Sequence, residues 1–176
     1  MKNKIICLLI VALSIVACTA PPKDKALTHE DKAEIKSEIT AIVDSIATSA
    51  NELRTDYFKK IYWNNEEFIG VDLTGAHSYD EYMKETDEMY ASMKSINFVE
   101  DQLSIVVFDD KTVVALFEGK AKGESKDGVK MNLNNFNASM VFRNIDNQWK
   151  LVYTHESAEQ EIMMPETDST MVEESM

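Results

Sequence analysis

Trp149-Lys150-Leu151-Val152-Tyr153-Thr154-His155-Glu156-Ser157 carries apolar or aromatic residues at every second position over its first half. That is the period of a half-buried β-strand. Strict alternation puts Trp149, Leu151, Tyr153, His155 and Ser157 on one face. Lys150, Val152, Thr154 and Glu156 take the other. The first set is expected to face the core. Upstream, Asn144-Ile145-Asp146-Asn147 reads as a turn, and residues 129–143 form a second strand. Ser125-Lys126-Asp127-Gly128 contains the Asp-Gly signal of a tight hairpin, so residues 112–123 are a third strand. Asp109-Asp110 turns the chain once more, into a fourth strand over 98–108. Four strands joined by hairpins make an antiparallel meander with one dry face.

The residues before the meander change period. Ile35, Ile39, Ile42, Ile46, Ala50 and Leu53 recur at steps of three and four, the stripe of a helix lying on a core. Thr28 starts that helix, with Glu30 and Asp31 in its first turn. Thr28 and Asp31 come close to a capping box, with Asp where Glu or Gln is usual. The chain breaks near residues 49–51. A short aromatic helix follows, bearing Tyr57, Phe58, Ile61, Tyr62 and Trp63. Asn64-Asn65 turns it, residues 67–73 read as a short strand, and Gly75 interrupts. Ser78 and Glu81 form a Ser-x-x-Glu capping box, so another helix begins at Tyr79 and runs to about Ser95. Its expected buried face is Tyr82, Met83, Thr86, Met89, Tyr90 and Met93. Helices preceding an antiparallel meander give an α+β class, with the helices on one face of a curved sheet.

This order of elements, closed by Trp149-Lys150-Leu151-Val152-Tyr153-Thr154-His155-Glu156-Ser157, resembles the nuclear transport factor 2-like superfamily. The branch it is similar to is the SnoaL-like or ketosteroid-isomerase-like one, over roughly residues 28–157. The resemblance implies a cone: a strongly bent antiparallel sheet wrapped on N-terminal helices, with a pocket at its open end. It also implies a possible homodimer through the sheet's outer face. Enzymes of this superfamily place a carboxylate or histidine base deep in the cone, beside tyrosine donors. Other members bind or assemble without catalysis, so the fold alone does not give the function.

Candidates for such a site follow from the strand faces. His155 shares a face with Trp149 and Tyr153 and could move protons at neutral pH. It could equally hydrogen-bond a helix end and fill space. Asp72 stands near the end of the first strand and could act as a base, with Tyr57 or Tyr62 as donor. If Ile69, Val71 and Leu73 face the core instead, Asp72 is only solvated. Asn134 is read on the face shared by Asn132, Phe136, Ala138, Met140 and Phe142. It could sit at the pocket mouth and hold a ligand carbonyl, or be rim polarity. Trp63, Tyr82, Met89, Phe117 and Tyr153 are candidate ligand contacts, or plain core. His29, His77 and His155 show no metal-ligand spacing, and there is no Gly-rich phosphate loop or Gly-x-Ser-x-Gly elbow. No metal and no cofactor are expected.

Outside this domain the sequence speaks of location. Residues 1–20 read MKNKIICLLIVALSIVACTA. A short cationic start, an apolar run from Ile5 to Val16 and small residues around Cys18 resemble a bacterial lipoprotein signal. The run falls short of the about 20 apolar residues a span needs. Residues 1–17 are then the signal, Cys18 the lipidated residue, and 18–27 a tether. The alternative is an uncleaved N-terminal anchor. Cys7 lies in the signal, so lipidation of Cys18 leaves an exported domain without a thiol, a disulfide or a cysteine-ligated metal. Thr19, rather than Asp, after the cysteine points to the outer membrane. The net charge of −13 repels phosphate backbones and argues against nucleic acid as a partner. Residues 158–176 carry acids and no base, and read as a flexible acidic tail. The expected partners are the bilayer, through acylated Cys18, and a small, largely apolar molecule in the cone. The readings of function are a ligand-binding or interaction domain at the cell envelope, or a proton-transfer enzyme using His155 or Asp72.

Overall fold

Thr28 caps the first helix as its sequence suggests, in the computed structural model that describes residues 26–165. Its hydroxyl accepts from the Asp31 N–H at 3.1 Å, while the Asp31 carboxylate accepts from the Thr28 N–H at 2.8 Å. An aspartate therefore serves in a capping box. Helix α1 (His29–Asn51) buries Ile39, Val43 and Ala50 against the sheet. It ends where Leu53 adopts φ 55°, and α2 (Asp56–Ile61) follows at once. Phe68 is almost wholly buried and leads into β1 (Ile69–Val71), a shorter strand than expected. A second short strand, β2 (Ala76–His77), was not expected. Next comes α3 (Tyr79–Ser92), where Glu81 accepts from both the N–H and the hydroxyl of Ser78.

The meander is longer than its pattern suggested. It comprises β3 (Met93–Val107), β4 (Thr112–Ser125), β5 (Lys130–Ile145) and β6 (Gln148–Met163). The sheet order is β2-β1-β6-β5-β4-β3, antiparallel throughout except where β1 lies parallel to β6. The fold is α+β, with the helices laid on one side of a curled sheet. Residues 159–163, expected in the tail, are paired with β5. Cys18, the signal segment, most of the tether and the tail from residue 166 onward lie outside the described residues.

Register breaks occur between Glu100 and Gln102 on β3, between Gly119 and Ala121 on β4, and at two places between β5 and β6. Each bulge bends its strand and raises the local twist, which is how a sheet of this length curls into a cone. Gly119 marks one bend, where a Cβ would lie 2.2 Å from the Val99 carbonyl oxygen. The core fills the cone's closed end with Phe68, Val113, Phe142 and Leu151. There the Trp149 indole N–H donates to Glu38 on α1 at 2.8 Å and ties the last strand to the first helix.

Candidate functional site

The interior of the cone is set by two bulges that no residue pattern announced. On β6, Leu151 pairs with Phe142 and Tyr153 with Val141, so Val152 is an extra residue in the ladder. A one-residue offset exchanges the two faces of everything beyond it. Trp149 and Leu151 point inward as expected, but the inward set then continues as Thr154, Glu156 and Ala158. Tyr153 and His155 are thereby turned to the outer face, and His155 is exposed. His155 is therefore not a base in the cone, which corrects the sequence expectation. On β5, Asn135 adopts φ 49° and two residues stand against Ala158, so Leu133 and Phe136 face inward and Asn134 faces solvent. Asn134 is not at the pocket mouth.

Inside is a cavity of about 440 Å³. One wall is aromatic, formed by Phe58, Tyr62, Tyr82 and Tyr90 with ring centroids 5.5–6.1 Å apart in their contacts. The opposite wall holds Phe98, Phe117 and Phe136. Met89 reaches the wall from α3. Of the residues singled out from sequence, Tyr82, Met89, Phe117, Asp72 and Tyr62 are thus brought together. Trp63, Tyr57 and Tyr153 are not. Phe58 and Tyr62 occupy the inward face of the second helix and its end at a spacing of four, which leaves Tyr57 and Trp63 on either side. The Trp63 N–H is taken up by the Leu151 carbonyl at 2.9 Å.

Glu156 is the polar centre of this cavity. It projects inward from β6, opposite Ala138, and Oε1 accepts a hydrogen bond from the Tyr82 hydroxyl at 2.8 Å. Burial in an apolar cavity disfavours its charged form and lifts the carboxyl from its ordinary 4.5 to about 7. The bond from Tyr82 opposes the rise, and the negative charge of Asp72 adds to it. The Tyr82 and Tyr62 hydroxyls are pushed well above the usual phenol range, first by burial and then by Glu156. Both stay protonated donors.

Tyr82 can stand there because Gly70 is a glycine. A Cβ at position 70 would sit 2.3 Å from the Tyr82 ring. The face of β1 that turns inward is therefore Gly70 and Asp72, while Ile69 and Leu73 are 48% and 45% exposed. Apolar count alone favoured the opposite face. Gly70 pairs with Thr154 and Val71 with His155, and the next residue, Asp72, comes to the cavity mouth near Glu156. Burial pushes the Asp72 carboxyl up. Hydrogen bonds from Thr74, His77 and Gly75 outweigh this and hold it below its ordinary value. His77 bridges two acids, with Nε2 3.2 Å from Asp72 and Nδ1 3.4 Å from Glu85 on α3. Ligand atoms of Asp72, His77 and Glu85 lie within 4.8 Å of one another, close enough for one divalent cation to span. In the structure their polar atoms are engaged with each other and with Thr74.

A SnoaL-like domain model matches residues 39–161, from the middle of α1 to the end of β6. The chain belongs to the SnoaL-like family. Among solved structures, this SnoaL-like domain is similar to a nuclear transport factor 2-like superfamily protein from Salmonella enterica serovar Typhimurium. That match has TM-score 0.66 and 18% identity, covering 82% of this chain and 99% of the other. It is also similar to a hexachlorocyclohexane dehydrochlorinase, LinA-type3, from Novosphingobium barchaimii (TM-score 0.65, 9% identity, 77% and 94% covered). A protein with a cystatin-like fold from Caulobacter vibrioides matches at TM-score 0.60 and 13% identity, with 72% and 90% covered. At these identities the likeness is one of fold. No curated protein gives a significant match. Glu156 was legible only as a residue on the face opposite His155. The signal that finds it is the Val152 bulge, which requires the paired strand.

Proposed function

We propose that this SnoaL-like domain binds a small, largely apolar molecule in its cone and orients it on the Glu156–Tyr82 pair. The observation that carries the reading is a 440 Å³ cavity with aromatic walls and one hydrogen-bonded carboxyl inside. A cavity of that size with a few convergent polar groups is the usual form of a small-molecule site. Packing alone would fill it, since each void left in a core costs stability. The test is saturable binding of N-phenyl-1-naphthylamine, a neutral fluorescent apolar probe. Ala47 lies on the cavity wall, so Ala47→Phe should weaken probe binding by about tenfold while leaving the circular dichroism unchanged. Absence of saturable binding, or an unaffected Ala47→Phe, overturns the reading.

A second reading, proton transfer on the bound molecule, is favoured by one observation. Glu156 titrates near neutrality beside a tyrosine that stays a donor. Such a pair can remove a proton next to a carbonyl and stabilise the resulting oxyanion. It predicts that the protein speeds deuterium uptake from D₂O into the α-carbons of 4-phenylbutan-2-one, seen by proton NMR. Glu156→Gln should abolish the acceleration. Uptake that is no faster with the protein than without it would leave binding as the whole function.

The site of action proposed is a membrane surface in the cell envelope, with acylated Cys18 as the anchor. The support is the order of cationic start, apolar run and cysteine in residues 1–18.

A further inference from the structure

We infer that the cone takes a cationic amphiphile: a molecule with an aromatic or alkyl body and a single ammonium group, the ammonium seated against Glu156. This rests on the reading of the cavity as a ligand site and narrows its ligand to one charge class. The argument begins with what the cavity wall lacks. Its charged residues are Asp72, Glu85 and Glu156, all acidic, and among the described residues no lysine, arginine or histidine lines it. His77 stands behind the two acids at the mouth and is spent on them. Among the described residues, the hydrogen bond drawn to Glu156 comes from the neutral Tyr82 hydroxyl. Among the described residues no cationic side chain pairs with it.

An acidic group without a counter-charge in an apolar cavity is costly unless it is neutralised, by a proton or by a partner that arrives from outside. An ammonium supplies that partner. Carboxylate ligands would face like charge at every step of entry, and neutral ligands would meet the carboxyl only through hydrogen bonds, with no charge to pair with its anion. The remaining wall suits the same class. Tyr82 bonds the carboxyl, and Tyr62 and Phe58 continue the aromatic wall from it; aromatic rings attract cations, more strongly where water is excluded. The acids at the mouth, on a chain of net charge −13, raise the local concentration of cations before entry. Protons balance simply. The ligand enters as its ammonium form, Glu156 passes from acid to carboxylate, and the released proton goes to the buffer.

The test uses the full chain and three probes on one carbon skeleton: 4-phenylbutylamine, 4-phenylbutan-1-ol and 4-phenylbutanoate, titrated calorimetrically at pH 7 and low salt. The amine should bind about tenfold or more tightly than the alcohol, and the carboxylate most weakly. In two buffers of different ionisation enthalpy, amine binding should release a proton fraction that alcohol binding does not. Glu156→Gln should bring the amine down to the alcohol's affinity and remove the proton release. Its retained alcohol binding shows that the variant is folded. If the alcohol or the carboxylate binds as tightly as the amine, the cation assignment is wrong and the cavity reading stands. If none of the three binds, both fall.

Discussion

Glu156 has an ordinary carboxyl value of 4.5 and a folded value of about 7, so between these the folded chain holds a proton that the unfolded chain has lost. Stability must then fall as pH rises through this window, because the unfolded state binds fewer protons. At pH 5 the penalty is under about 1 kcal/mol, and by pH 8 it reaches roughly 3 kcal/mol. Glu156→Gln removes it. The variant should gain about 2–3 kcal/mol over the wild type at pH 8 and far less at pH 5, read as the difference in thermal or urea unfolding at the two values. Equal effects at both would mean that the carboxyl titrates in its ordinary range. Gly70 is the second decisive residue. Gly70→Ala places a Cβ against the Tyr82 ring and should cost about 1–3 kcal/mol in urea unfolding. It should also displace the tyrosine from Glu156 and so raise the pH of the stability transition, since the Tyr82 hydrogen bond is what holds the buried carboxyl down. Neither role could be read from residue type. A glycine between Ile69 and Val71 looks like a gap in an apolar strand until the tyrosine lying on it is known.

Elements were legible wherever one period ran uninterrupted and a cap or turn bounded it. Thr28 and Asp31, Ser78 and Glu81, and the Asp127-Gly128 turn all mark their boundaries by local chemistry. The failures share a cause. A bulge adds a residue without changing composition, so strict alternation places His155 inside and Glu156 outside when the Val152 offset does the reverse. The Asn135 bulge misplaces Asn134 in the same way. Short β2, paired with β1, had too few residues to show any period. The edge of the sheet shows a further arrangement beyond the reach of patterns. Asn51, at the end of α1, accepts from the Phe98 N–H at 2.6 Å and donates to the Phe98 carbonyl at 3.3 Å. One amide side chain thus stands in for a neighbouring strand on β3. Asn51→Ala leaves both partly buried groups without a partner and should cost about 1–3 kcal/mol. Amide exchange should show faster exchange at Phe98 than at its neighbours on β4. Uniform protection along β3 would show that helix packing, not this pair of bonds, closes the edge.

At the scale of the whole molecule, the proposed envelope location raises the question of how a domain of this charge would be held at a membrane. Among the described residues no helix is long and apolar enough to cross a bilayer. A chain of net charge −13 is repelled by anionic headgroups. The proposed attachment rests on the N-terminal segment, either through lipid on Cys18 or through the apolar run Ile5–Val16 retained as an anchor. The two differ in what Cys18 does. A single acyl chain holds a protein only marginally, so stable attachment by lipid requires more than one chain on the cysteine. An uncleaved apolar run would need no cysteine at all. Labelling cells with an alkyne analogue of palmitate should therefore mark the wild type and not Cys18→Ser. The mature wild type should also lack residues 1–17 by mass spectrometry, while Cys18→Ser keeps them. Labelling of Cys18→Ser at the wild-type level, or a mature wild type that retains its first residues, would place the anchor in the apolar run instead.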